Sequence, residues 1–251
     1  MIRNRKTRGM FTDIHHHIIY GVDDGAPDFE TAAKMLKMAE AQGVGRIICT
    51  SHANPLRSFF NLEVYRARMS EEQQYLKSQQ MNIRLAEGCE IMWMESVPRL
   101  LNEGQLPTLN HSRYVLVEFY PDDKLKRIRG ALESLCIAGY SPVLAHAERY
   151  RALRPWKRLR ELHGSVNVVV QMNAGTILRV PKLGWLEDKT PRHFLEEGLV
   201  DIVATDSHNT TGRSCRMNDA FQVLGDLFGS ETAVEMCVTN PNRIWNDEII
   251  G

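Results

Sequence analysis

Histidine and carboxylate recur in this chain at the ends of short apolar runs. His15-His16-His17 closes the first run, Ser51-His52 follows the second and Glu90 the third. Glu118 ends the fourth, His146 follows the fifth, Asn173 the sixth, and Asp206-Ser207-His208 the seventh. Imidazole nitrogen and carboxylate oxygen are donors that manganese, iron and zinc accept, and no cysteine joins the set. His15 and His17 are two residues apart, so on an extended backbone both point to one side and can grip one cation, while His16 points the other way. Asp206 and His208 repeat that spacing. A lone strand-end histidine is more often a hydrogen-bonded core residue, and Glu118 reads equally as the first solvated residue after a buried strand. Five of nine histidines in such places, with two glutamates and an aspartate, point instead to a multi-metal site.

Such a site needs a scaffold that gathers residues spread over nearly 200 positions. The expected strands are 11–15, 46–50, 83–88, 114–118, 142–145, 167–171 and 200–204. Most are compact Val- and Ile-rich runs, as in strands covered on both faces. Helical stripes lie between them: one capped by Asp28 and ended near Gly43, one capped by Asn61, and one opened by Asp122. A shorter helix opens at Thr190-Pro191, and a last one runs from about Asp219 to Phe228. This alternation predicts parallel βα units. A barrel brings all strand C-termini to one mouth, whereas an open sheet spreads them along a line, so the ligand pattern favours a barrel.

Composition narrows the function. Lys+Arg and Asp+Glu number 31 each among 251 residues. The absent basic excess argues against a nucleic-acid partner and against a membrane-surface protein. At 43 % hydrophobic and 25 % charged, the chain reads as an ordinary folded protein. No apolar run approaches the roughly 20 residues of a membrane-spanning helix. The basic start lacks a following apolar stretch, so no secretory signal is expected. Five cysteines, odd in number and without a CxxC pair, read as reduced thiols of a cytoplasmic protein. Met10 is a candidate second start. Residues 1–9 are expected to be a flexible extension, able to contribute to self-association, and 10–251 a single domain.

The run from His15 through Gly21-Val22-Asp23-Asp24-Gly25 resembles the HxHxLPGxDDG opening of the bacterial manganese-dependent tyrosine phosphatases of capsule and exopolysaccharide loci. These are the CpsB/CapC type within the polymerase and histidinol phosphatase (PHP) superfamily. Thr50-Ser51-His52, Gly88-Cys89-Glu90, Leu116-Val117-Glu118-Phe119, Ala145-His146-Ala147-Glu148-Arg149-Tyr150, Gln171-Met172-Asn173-Ala174-Gly175 and Thr205-Asp206-Ser207-His208-Asn209 extend the resemblance in order, over essentially the whole chain from Met10. HxH and DxH pairs are common to the superfamily; GxDDG, HxERY and QxNAG together are specific to this branch. The resemblance implies a distorted (β/α)7 barrel of the PHP fold. It also implies three divalent ions, manganese first, with iron or zinc as substitutes. His15, His17, Glu90 and Asp206 would hold the first. Glu90 would bridge to a second, held with Glu118 and His146. Asp24, His52 and His208 would hold the third. Arg149 and Arg213 would bind substrate phosphate. His16 and Tyr20 stand where the family more often has serine and proline, and neither is a ligand position.

The resulting expectation is phosphotyrosine hydrolysis by metal-activated hydroxide, without a covalent enzyme intermediate. The protein substrate would be a bacterial tyrosine kinase with a Tyr-rich tail, regulating capsule or exopolysaccharide synthesis. Histidinol phosphate or another small monoester is the first alternative, and an inactive regulatory PHP domain the second. A polymerase-associated exonuclease fits the short, uncharged-on-balance chain poorly. Cys237 and Arg243 share the Cys-x5-Arg spacing of cysteine phosphatases, but the segment has no glycine and includes Pro241. The cations from Arg149 to Arg160 read as a solvated helix face or as a rim attracting an acidic tail. Phe59, Phe60 and Trp93 are candidates for lining the mouth or packing the core.

Overall fold

A computed structural model describes residues 11–54, 60–182 and 188–250. The expected extension 1–9, Met10 and Phe59 lie outside the described residues. Nine strands are described: β1 (Phe11–His16), β2 (Val44–Cys49), β3 (His52–Ala53), β4 (Arg84–Glu87), β5 (Glu90–Met92), β6 (Tyr114–Glu118), β7 (Ser141–Leu144), β8 (Val169–Asn173) and β9 (Ile202–Ala204). The helices are α1 (Phe29–Ala41), α2 (Leu62–Ser78), α3 (Val97–Asn102), α4 (Leu125–Ile137), α5 (Trp156–Ser165), α6 (Ala174–Ile177), α7 (Thr190–Glu196), α8 (Met217–Phe228), α9 (Ser230–Val234) and α10 (Asn240–Trp245).

All strand pairs are parallel, in the orders β1-β2-β4 and β3-β5-β6-β7-β8-β9. β3 resumes β2 after Thr50-Ser51, and β5 resumes β4 after Gly88-Cys89. Counted this way the sheet has seven strand positions, as the sequence suggests, and the two breaks place His52 and Glu90 at the mouth. The sheet curls into a half-barrel, and its edges approach where β9 runs out beside β1. There Asp206 N donates to His15 O at 2.8 Å and His17 N to Ser207 O at 2.9 Å.

Side-chain alternation separates two apolar layers. Ile48, Leu116, Val143, Val169 and Ile202 fill the inside of the curl. Ile47, Val115, Val117, Leu144, Val170 and Val203 face outward against Leu36, Leu132 and Leu159 of the surrounding helices. β1 departs from strict alternation, because its pairing with β2 shifts register between Asp13 and His16.

The helix starts are only partly as expected. Asp28 accepts from Thr31 N at 2.8 Å and Asn61 from Val64 N at 3.1 Å, so both cap as read. Asp122 does not open α4, which begins at Leu125 after Lys124. The preceding turn uses both carboxylates elsewhere: Asp122 pairs with Arg151 at 2.7 Å, and Asp123 accepts from Tyr120 N at 3.0 Å.

Candidate metal centre

The nine sequence-predicted ligands gather at the C-terminal ends of the strands. Glu90, 1 % exposed, is the hub. Its Oε2 lies 3.2 Å from His15 Nε2, 3.3 Å from His17 Nε2 and 3.1 Å from His52 Nδ1, and its Oε1 lies 2.7 Å from His146 Nε2. Donor atoms of His15, His17, Glu90 and Asp206 all lie within 4.8 Å of one another. So do those of His17, Asp24, His52 and His208, and those of His52, Glu90 and Glu118. His146 meets Glu118 at 3.7 Å. The expected third set therefore gathers with His17 added, and the expected second set with His52 alongside.

Residues that sequence reasoning left without a role fix the imidazole orientations. His15 Nδ1 donates to Gln171 Oε1 at 3.1 Å, an oxygen that also accepts from His146 N at 2.8 Å. His17 Nδ1 donates to Asp23 Oδ2 at 2.7 Å. With both Nδ1 atoms engaged, the two Nε2 atoms face each other at 3.2 Å, beside the oxygens of Glu90 and Asp206. Imidazole nitrogens and carboxylates converging in a dry pocket fit a divalent cation. Glu90 Oε2 and His208 Nε2 are buried and, among the described residues, make no well-aligned hydrogen bond, which fits the same donors. Asp23 also accepts from His52 N at 2.9 Å, and Tyr150 OH lies 3.4 Å from His146 Nδ1. Asp23, Gln171 and Tyr150 sit inside the GxDDG, QxNAG and HxERY segments, which is the signal that marks them.

The backbone is bent to serve the site. His146 and Asp206 adopt positive φ, 33° and 52°, an unfavourable region for residues with a Cβ. At Gly25 an added Cβ would lie 2.3 Å from His17 O, so only glycine lets the Asp23-Asp24 loop fold under the ligand strand.

Burial lowers the proton affinity of His15, His17 and His52, but neighbouring carboxylates overturn it, whereas burial and His17 keep His208 below the ordinary imidazole value. Asp23 and Glu90 push His17 up to about 9, and Asp24, Glu118 and Glu90 push His52 up to about 11. Glu90 is held well below the usual carboxylate range, because His15 and His146 outweigh its burial. Asp206 is held low as well, with His15 and Arg149 outweighing its desolvation. A pocket that draws protons this strongly draws metal cations by the same field.

Arg149 Nη2 donates to Asp206 Oδ2 at 2.6 Å and Arg213 Nη2 to Asp206 Oδ1 at 2.8 Å. Both arginines are part-exposed and line a cavity of about 780 Å³ that also meets Arg179 and Arg216. The rest of the basic run is largely occupied: Arg151 pairs with Asp122, Arg154 with Asp188, and Arg160 with Glu197. Trp93 is 7 % exposed and packs in the outer core instead of lining the mouth. Phe60 is half-buried and stacks near Tyr65. Cys237 is fully buried, its thiol pushed up by desolvation, and Arg243 pairs with Glu235, so the Cys-x5-Arg spacing forms no phosphate loop.

Residues 11–246 match the family described as capsular polysaccharide synthesis, CpsB/CapC. The chain is 33 % identical over 242 residues to tyrosine-protein phosphatase CpsB of Streptococcus pneumoniae, covering 95 % of this chain and 99 % of that one. It is 32 % identical to tyrosine-protein phosphatase YwqE of Bacillus subtilis, covering 87 % and 85 %. Among solved structures, one from a pair of YwqE and CpsB crystal structures, described as unique metal-dependent tyrosine phosphatases, superposes with a TM-score of 0.87 at 29 % identity over 96 % of both chains. The lactonase Lmo2620 of Listeria monocytogenes superposes at 0.57 with 12 % identity over 97 % and 96 %, a likeness of fold alone.

Proposed function

The chain belongs to the CpsB/CapC family, and we propose that it is a metal-dependent protein tyrosine phosphatase serving capsule or exopolysaccharide synthesis. The ions are three, with manganese the preferred metal and iron or zinc able to replace it. His15, His17, Glu90 and Asp206 hold the first, Glu90, Glu118 and His146 the second, and Asp24, His52 and His208 the third. When bound, such ions lower the pKa of water and neutralise phosphoryl charge.

The chain's own groups do the rest. Arg149 and Arg213 take the phosphoryl oxygens through the N–H groups that now face Asp206, and hold phosphorus for in-line attack. Asp23 and Gln171 keep His17 and His15 in the tautomer that presents Nε2 inward. Water attacks phosphorus, the bond to the phenolic oxygen breaks, and phenolate leaves with little need of a proton donor. A cysteinyl-phosphate route is disfavoured: Cys49, Cys89, Cys215 and Cys237 are buried with raised thiol pKa values. The substrate is a phosphotyrosine protein, in our reading a bacterial tyrosine kinase with a Tyr-rich tail. Among the described residues no helix is long and apolar enough to cross a membrane, and we place the enzyme in the cytoplasm.

The observation that carries this reading is the pair of imidazole Nε2 atoms facing each other at 3.2 Å beside two carboxylates. A manganese-supplemented assay on phosphotyrosine peptide, phosphoserine peptide and histidinol phosphate tests it. The tyrosine peptide should be turned over with the highest kcat/KM; preference for histidinol phosphate would reassign the substrate.

A further inference from the structure

A second group of donors lies behind β1, away from the centre just described. Asp13, His16 and Cys215 each offer one ligand atom, and those atoms lie within 4.8 Å of one another. All three residues are buried, at 0 %, 0 % and 3 % exposure. The register shift between Asp13 and His16 brings these two together although they are three residues apart.

His16 is the anomaly. Among the described residues neither of its ring nitrogens has a hydrogen-bond partner. A neutral imidazole carries one N–H and one lone pair, and leaving both unpaired in a dry interior is costly. Asp13 is better served, accepting from Thr205 N at 3.0 Å, from the Thr205 hydroxyl and from His15 N at 3.4 Å. Cys215 sits two residues after Arg213, on the segment that follows His208.

We propose that Asp13, His16 and Cys215 form a separate binding site for a soft divalent cation, zinc in preference to manganese. The donor chemistry sets the preference. One imidazole, one carboxylate and one thiolate suit zinc, whereas the strand-end centre offers nitrogen and oxygen alone. Charge balances as well, because the carboxylate and thiolate together offset a divalent ion and the thiol proton is released on binding. A tetrahedral zinc with bonds of about 2.0–2.3 Å holds its ligands roughly 3.3–3.7 Å apart, so the group closes on an ion by small side-chain movements. The ion ties β1 to Thr205 and to the segment carrying Arg213, across the seam where the sheet edges meet. It therefore staples the phosphate-binding loop to the strand that supplies His15 and His17.

Cobalt(II) substitution tests this on the full chain. Stripped protein loaded with cobalt should show a thiolate-to-cobalt charge-transfer band in the near ultraviolet, since no sulfur ligand exists at the strand-end centre. Cys215→Ser should abolish the band, His16→Ser should weaken cobalt affinity at that site at least tenfold, and Cys237→Ser should keep the band. Absence of the band from the unsubstituted protein overturns the proposal, whatever the variants do. A band that survives Cys215→Ser in a protein of unchanged circular dichroism overturns it too.

Discussion

His16 and His17 are adjacent, equally buried and chemically the same, yet β1 delivers them to opposite surroundings. Burial and the repulsion of His17, His208 and His15 depress His16 to about 3. Burial acts on His17 as strongly, but Asp23 and Glu90 reverse it and carry it up to about 9. The difference is one residue of strand alternation. It teaches that desolvation by itself makes a neutral histidine, and that a site attracting cations must bring its own carboxylates. Glu72 and Glu90 repeat the lesson with the sign changed. Both are buried; Glu90 is held low by His15 and His146, while Glu72, whose Oε1 accepts only Tyr20 N at 3.2 Å, is raised by desolvation to about 8.

The contrast breaks most visibly at the hub. Glu90→Gln keeps the shape but removes the charge shared by four imidazoles, and should lower kcat/KM by about a thousandfold or more. His16→Ser, one residue from His17, should change kcat/KM by less than about tenfold in manganese-loaded protein. Equal losses in steady-state assays would erase the distinction between the two sides of β1.

Next come the arginines. Arg149→Ala and Arg213→Ala should each cost about a hundredfold in kcat/KM on phosphotyrosine peptide. Metal content measured by mass spectrometry should stay unchanged. Arg154→Ala, already engaged by Asp188 at 3.3 Å, should leave turnover within about threefold.

The two glutamates sharpen the comparison through pH. Glu72 has its pKa raised on folding, so the folded protein holds the proton more tightly. Its contribution to stability is complete below the unfolded pKa near 4.5 and is lost as pH rises through about 8. Glu72→Gln, which keeps an acceptor for Tyr20 N, should match the parent near pH 5. At pH 9 it should exceed the parent by an amount on the order of 5 kcal/mol in denaturant unfolding. A parallel pH dependence of both proteins would mean that Glu72 is ionised throughout. The smallest effect belongs to Cys237→Ser, expected to change kcat/KM by less than about twofold, since its thiol is not among the donor atoms grouped in either cluster.

Much of the site is legible in the sequence because of how a parallel sheet is built. Each apolar run stops where the backbone leaves the core, and a polar residue standing there must face the mouth; Glu118, His146 and Asp206 follow directly. β6 falls on Tyr114–Glu118 as read, because its apolar run is uninterrupted up to Glu118. What was not legible depends on breaks in regularity. β3 and β5 are two and three residues long, too short for any periodic signal. The helical close after Phe228 contains a π-helical turn at Glu235–Thr239, which blurs the helical period. Asp122 carries an N-cap residue type but spends it on Arg151. Gln171 and Asp23 act through other side chains, and spacing records only which residues reach the mouth. The grouping of Asp13 with His16 needs the shift in β1, and Cys215 joins from about 200 positions away.

The account's central claim is that the strand-end donors are a cation site on which turnover depends. Its most direct test is phosphate release from phosphotyrosine peptide by protein stripped of metal, verified by mass spectrometry, and then titrated with manganese. The account predicts negligible turnover when stripped and recovery that saturates as the ions load. Undiminished turnover by verified metal-free protein, or no recovery on loading a correctly folded chain, would contradict it.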